Sequence, residues 1–167
     1  MSAQNELEQY AARLGSLLET AGQTLVTAES CTGGGIAQAV TAIAGSSAWF
    51  DRGFVTYSNS AKTEMLAVSP ALIERHGAVS EEVVKAMTYG ALQASRADWV
   101  IAVSGIAGPG GGSAEKPVGT VWLAWQQRGS RAFTERALFA GDRTSVREQT
   151  VKRALEVLAE WLEVRRV

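Results

Sequence analysis

The sequence predicts an α/β fold, a single three-layer α/β/α domain over residues 1–167 around a central mixed sheet. Three observations carry this reading. Amphipathic helical segments alternate with short strand segments through the first part of the chain, and crossover helices need both faces of a sheet. Residues 99–103, WVIAV, form a continuous apolar run, as in a central strand buried on both sides. Strand segments then cluster, and one long helix closes the chain. This pattern leaves the strand order open.

Leu7, Tyr10, Ala11, Leu14, Leu17 and Leu18 recur at helical spacing, so the first helix ends near Gly22. Residues 25–28 read as a short strand and 32–43 as a helix. Residues 53–58 are β-rich, with Phe54, Val55, Thr56 and Tyr57 in a row. A short helix follows at 60–66, and Ser69-Pro70 is an N-cap with proline at the first helical position. Ser80 caps a longer helix whose first turn holds Glu81 and Glu82, where the dipole favours them, and whose stripe is Val83, Met87, Ala91 and Ala94. After the strand at 99–103 comes a glycine-rich loop, 105–117, then strands at 118–125 and 133–139. A helix at 142–162 has Val151, Leu155, Leu158 and Leu162 as its stripe. Val164 and Val167 fray or cover an apolar edge.

Composition narrows the function. With 167 residues and 46% hydrophobic content, the chain can bury one real core. Cys31 is the only cysteine and His76 the only histidine, so an internal disulfide, a cysteine-rich zinc site and a multi-histidine centre are excluded. Neither a metal nor a cofactor is expected. Residues 1–9 are polar, no apolar run approaches a membrane span, and a cytoplasmic protein without membrane contact is the expectation. The net charge of −1, without a basic tail or cluster, argues against nucleic acid; Arg165 and Arg166 read as a solvated terminus.

The stretch AESCTGGG, residues 28–35, joins a strand to a helix through glycines. Unpartnered N–H groups at a helix start suit an oxyanion or phosphate. The pattern is neither G-x-G-x-x-G nor a P-loop, so dinucleotide binding and triphosphate hydrolysis lose ground. Ser30 sits at the junction, as a nucleophile or as a helix cap. Cys31 is a rival nucleophile or a small buried residue. Glu29 is an orienting carboxylate, a metal ligand, or a charge held by backbone N–H groups. Histidine is nearly unavailable as a base, because His76 reads as a helix C-terminal residue before Gly77. Lys62 is the substitute. It falls in an opening helical turn capped by Asn59 or Ser60, where the dipole and burial both depress its pKa; otherwise it is a solvated lysine. Tyr57 either relays a proton, or holds the serine hydroxyl, or packs as an apolar ring. The loop after residue 103 lies where α/β folds place ligands. It offers Ser104 and Gly105, with Lys116 as a possible anion contact. Arg143, beside the cap Asp142, is a phosphate clamp or a surface charge.

Five motifs in one order, AESCTGG at 28–34, VTYSNSAK at 55–62, VSGIAGPGGG at 103–112, EKPVGTVW at 115–122 and GDR at 141–143, resemble the CinA C-terminal domain family, and within it the stand-alone nicotinamide mononucleotide amidohydrolases. The likeness spans nearly all the chain. The larger members carry a further molybdopterin-binding-like domain, for which this sequence is too short. The resemblance implies hydrolysis of the carboxamide of nicotinamide mononucleotide to nicotinate mononucleotide and ammonia, in pyridine nucleotide recycling. It implies Ser30, Tyr57 and Lys62 as catalytic residues, and Ser104 and Arg143 as pocket positions. Thr32, Gly33, Gly34, Asn59 and Gly105 complete the expected substrate-binding set, with oxyanion donors among the N–H groups of 32–34. A homodimer or higher homo-oligomer is also implied, and the five tryptophans suit an interface or a core equally. Three rival readings stand beside this one. They are a non-catalytic nucleotide-binding module, a cysteine amidase using Cys31, and a metal-dependent phosphohydrolase using Glu29, Asp51 and Asp142.

Overall fold

A computed structural model describes residues 1–165. Helix α1 (Ala3–Ala21) starts at Ser2, whose hydroxyl accepts the Asn5 N–H, and ends at Gly22 with φ 66. Strand β1 (Leu25–Glu29), helix α2 (Gly35–Thr41), a single 3₁₀ turn (Ser46–Ala48) and strand β2 (Phe50–Val55) follow. Helices α3 (Asn59–Leu66), α4 (Pro70–His76) and α5 (Glu81–Gln93) are capped by the hydroxyls of Ser58, Ser69 and Ser80. Strands β3 (Trp99–Gly105), β4 (Thr120–Gln127) and β5 (Phe133–Leu138) lead to α6 (Arg143–Val164), capped by Asp142.

The strands form one sheet in the order β2-β1-β3-β4-β5. β2, β1 and β3 run parallel, while β4 is antiparallel to both β3 and β5, which makes the sheet mixed. Side-chain alternation sorts the central strands between two cores. Leu25, Trp99, Ile101, Val103, Leu123 and Trp125 pack with α1, α2 and α6. Val26, Ala28, Val100, Ala102 and Ala124 pack with α3, α4 and α5. The result is the predicted α/β/α sandwich, and its two apolar faces explain why residues 99–103 read as an unbroken run.

Several boundaries differ from the sequence reading for local reasons. α2 begins at Gly35, not at residue 32, because Gly33 has φ 60 and Gly34 has φ 99, ψ 6. These values, with Gly35 N–H donating to Thr32 O at 3.0 Å, make residues 32–35 a left-handed turn of type I′, which glycine adopts without strain. α2 stops at Thr41, not at 43. β2 lies at Phe50–Val55, earlier than 53–58; it is an edge strand, and exposed Asp51 and Arg52 disguise its start. The cap of α3 is Ser58, not Asn59 or Ser60, and its hydroxyl accepts the Ala61 N–H. Trp49, Trp99 and Trp125 are core residues, whereas Trp122 and Trp161 are partly buried. Val164 is exposed at the end of α6; Arg166 and Val167 lie outside the described residues. No helix among the described residues is long and apolar enough to cross a membrane.

The topology places a crevice. The chain leaves β1 for β2 on one side and later reaches β3 on the other side. The carboxyl end of β1 therefore sits at a switch point between strand ends, the general ligand position in such sheets. α3 is held close to that point by α5. Gly90 of α5 lies so near α3 that a Cβ there would stand 2.0 Å from Leu66 O.

Candidate active site

Ser30 follows β1 directly and is anchored by its N–H, which donates to Val103 O of β3 at 3.1 Å. Thr56, just past β2, donates to Glu29 O at 2.8 Å. Tyr57 then leaves the sheet and Ser58 starts α3. Lys62, one turn into α3, points back under this corner and is only 1% exposed. Its Nζ stands 3.0 Å from Ser30 Oγ, 3.0 Å from Thr56 O and 3.3 Å from Tyr57 O.

This geometry suits either protonation state of the amine. An ammonium has three protons for three oxygen acceptors. A neutral amine gives two N–H groups to the two carbonyls and turns its lone pair to the Ser30 O–H. Burial pushes the Lys62 pKa below its usual 10.5, because a buried ammonium loses hydration. The Lys62 amine makes no ion pair with a carboxylate among the described residues that would restore it.

Ser30 and Lys62 line a cavity of ≈ 270 Å³ at the switch point, together with Cys31, Tyr57, Asn59, Ala78, Val79, the run 104–108, Gly110, Gly111 and Arg143. The expected residues Ser104, Gly105, Asn59 and Arg143 are thus brought together with the serine and lysine. Ser104 Oγ donates to Ala78 O at 2.9 Å and keeps lone pairs to accept. Arg143 spans the mouth, with one guanidinium nitrogen 2.8 Å from Gly108 O and the other 2.9 Å from the Tyr57 hydroxyl. Lys116 lies elsewhere and donates to His76 O at 2.8 Å.

Two expectations change. The Tyr57 ring is 59% exposed and its hydroxyl is held by Arg143, so the side chain does not hold the serine hydroxyl; the backbone carbonyl of Tyr57 reaches Lys62 instead. Thr32, Gly33 and Gly34 do not line the cavity. The Thr32 hydroxyl donates to Glu29 at 2.5 Å, the Gly33 N–H to Ser30 O at 3.0 Å, and the Gly34 N–H faces the Glu29 carboxylate. Of these three N–H groups, only that of Thr32 has no acceptor among the described residues.

Glu29 is wholly buried and takes the place of a side-chain cap that Gly34 cannot provide. Its carboxylate accepts the Ile36 and Ala37 N–H groups at 2.8 and 3.0 Å, satisfying the open start of α2. Burial raises its pKa, against the lowering by Thr32, Ile36, Ala37 and Gly34. Glu29→Ala leaves these buried donors unpaired and is expected to cost about 3 kcal/mol, measured by urea unfolding; a loss below about 1 kcal/mol contradicts this capping role. Among the described residues no group of three His, Cys, Asp or Glu side chains is arranged to hold a metal ion. Cys31 lines the cavity, but burial pushes its thiol up to about 11, which keeps it protonated near neutral pH.

Sequence reasoning missed Ala78 and Val79, which are ordinary apolar residues before a helix cap. It also missed Arg147, whose side chain donates to Cys31 O at 3.2 Å and Thr32 O at 3.1 Å. The only available signal was its place four residues after Arg143, on the same face of α6.

Comparison with known proteins agrees with this fold. The chain is 54% identical over 154 residues to the nicotinamide-nucleotide amidohydrolase PncC of Escherichia coli K12, covering 92% of this chain and 93% of that one. It is 59% identical over 148 residues to the protein of the same name in Pseudomonas putida, covering 89% and 92%. The crystal structure of the competence/damage-inducible protein CihA from Agrobacterium tumefaciens superposes with a TM-score of 0.91 at 48% identity, covering 95% of this chain and 96% of that one. Residues 7–162 match the CinA C-terminal domain, and the chain belongs to that family.

Proposed function

We propose that this protein hydrolyses the carboxamide of nicotinamide mononucleotide to nicotinate mononucleotide and ammonia, with Ser30 as nucleophile and Lys62 as base. The observation that carries this reading is the buried Lys62 amine, 3.0 Å from Ser30 Oγ in a cavity at the sheet's switch point. The naming of relatives that match nearly the whole chain as nicotinamide-nucleotide amidohydrolases supports the substrate.

In this mechanism neutral Lys62 takes the Ser30 proton as Oγ attacks the amide carbon. The carbonyl oxygen becomes an oxyanion, met by the N–H of Thr32, which has no acceptor among the described residues. The C–N bond breaks as the Lys62 ammonium returns a proton to the nitrogen, and ammonia leaves. Water then attacks the Ser30 ester, giving one proton to Lys62, which passes it back to Oγ as the C–O bond breaks; the nicotinic acid product loses its remaining proton to solvent and leaves as the carboxylate. The pyridinium of the substrate withdraws electrons from the carboxamide and, as a like charge nearby, favours neutral Lys62. Arg143 and the glycine loop hold the phosphate. Arg143 then exchanges its Tyr57 hydroxyl or Gly108 carbonyl for phosphate oxygens, so Tyr57 gates the mouth.

The test is incubation of purified protein with nicotinamide mononucleotide, without added metal. Ammonia and nicotinate mononucleotide are expected in equal amounts. Free nicotinamide, without ring charge or phosphate, is expected to show a kcat/KM at least roughly 100-fold lower. Equal efficiency on nicotinamide contradicts the assigned substrate. Nucleotide that binds without release of ammonia contradicts the reaction and favours a binding module.

A further inference from the structure

We infer that Arg147 is a positioning residue for the hydrolysis proposed above, setting the orientation of the Cys31–Thr32 peptide and, through it, the oxyanion donor. The turn after Ser30 has three carbonyls to satisfy. Ser30 O accepts the Gly33 N–H, and Thr32 O accepts the Gly35 N–H, both at 3.0 Å. Among the described residues Cys31 O accepts only from Arg147 Nε, at 3.2 Å, and the same guanidinium reaches Thr32 O at 3.1 Å. A trans peptide is planar, with its C=O and N–H on opposite sides. Fixing Cys31 O on Arg147 therefore sends the Thr32 N–H away from α6.

The turn supplies the direction. Ser30 O and Gly33 N–H close it, and Thr32 is not among the residues with positive φ. This is the right-handed, type I sense, in which the third residue's N–H points back toward the first, as at a helix start. That first residue is Ser30. The donor thus points toward Ser30 from just outside the cavity lining, while the guanidinium stands on the far side of the peptide. Glu29 cannot do the same work, because it accepts a hydroxyl and N–H groups and offers nothing to the two carbonyls. Gly33 and Gly34 add the need for a clamp, since glycines in a turn admit alternative backbone conformations readily.

The experiment uses the full chain carrying Arg147→Ala or Arg147→Lys, with nicotinamide mononucleotide as substrate. Rates are expressed per folded molecule, from circular dichroism. Arg147→Ala is expected to lower kcat by about 100-fold with KM within about threefold. Arg147→Lys, or guanidinium ion added to Arg147→Ala, is expected to restore part of the loss. A kcat per folded molecule within about threefold of wild type, or a loss confined to KM, overturns the inference. A crystal structure of Arg147→Ala separates the two claims. If wild type fails to turn over the nucleotide, the proposed reaction falls, and the backbone still tests the clamp: a rotated Cys31–Thr32 peptide supports it, and an unmoved one overturns it.

Discussion

Ser30→Ala is expected to lower kcat on nicotinamide mononucleotide by about 10⁴-fold or more while leaving nucleotide binding near wild type. The serine hydroxyl contributes a bond that no neighbour can replace. Cys31, the adjacent rival, has its thiol pushed up to about 11 by burial, and a protonated thiol is a weak nucleophile. The substitution removes one oxygen from a nearly buried position whose structural hydrogen bond is made by the backbone N–H to Val103 O, so the fold is expected to remain. Calorimetry with the nucleotide checks binding, and ammonia release checks rate. Activity retained in Ser30→Ala and lost on thiol alkylation moves the nucleophile to Cys31.

Lys62→Met is expected to lower kcat by about 10²- to 10⁴-fold, the range that positioned general bases contribute. Methionine fills similar volume and carries no proton. In wild type the rate is expected to rise with pH through the pKa of Lys62, which burial holds below 10.5; the variant loses that limb. The same shift acts on stability. The unfolded lysine titrates near the usual value and the folded one lower, so between the two the unfolded state binds more protons and stability rises with pH. Below the folded pKa the penalty of the buried ammonium is present in full. Melting temperatures of wild type and Lys62→Met, compared from pH 7 upward, are therefore expected to shift in favour of wild type as pH rises. Parallel curves would mean that Lys62 titrates as an ordinary solvated lysine.

Much of this site was legible before folding, for particular physical reasons. Serine caps at residues 69 and 80, proline at 70 and the cap at Asp142 are local signals, and the structure keeps each. The run at 99–103 announced a central strand because both of its faces meet helices. Strand order was not legible, since pairing is set by long-range packing. The start of β2 was hidden by the exposed Asp51 and Arg52 of an edge strand. Ser30 and Lys62 were suspected from residue type beside a turn. Their meeting needs α3 to fold back under β1, which the close pass of Gly90 against Leu66 permits. The glycines at 33 and 34 looked like a ligand cradle. They serve a left-handed turn, a difference carried by φ alone. Tyr57 lines the same cavity, where its carbonyl faces Lys62 and its hydroxyl meets Arg143, an arrangement that residue type alone does not reveal. Arg147 was invisible because its target is backbone more than a hundred residues earlier in the chain.

The most direct test of the Ser30–Lys62 assignment is acid quenching of wild-type protein during turnover of nicotinamide mononucleotide, followed by proteolysis and mass spectrometry of the peptide that carries Ser30. The assignment predicts a nicotinoyl-nucleotide ester on Ser30 that disappears as substrate is exhausted, and that Ser30→Ala does not form. A covalent adduct on Cys31, or ammonia release by Ser30→Ala at the wild-type rate, contradicts it.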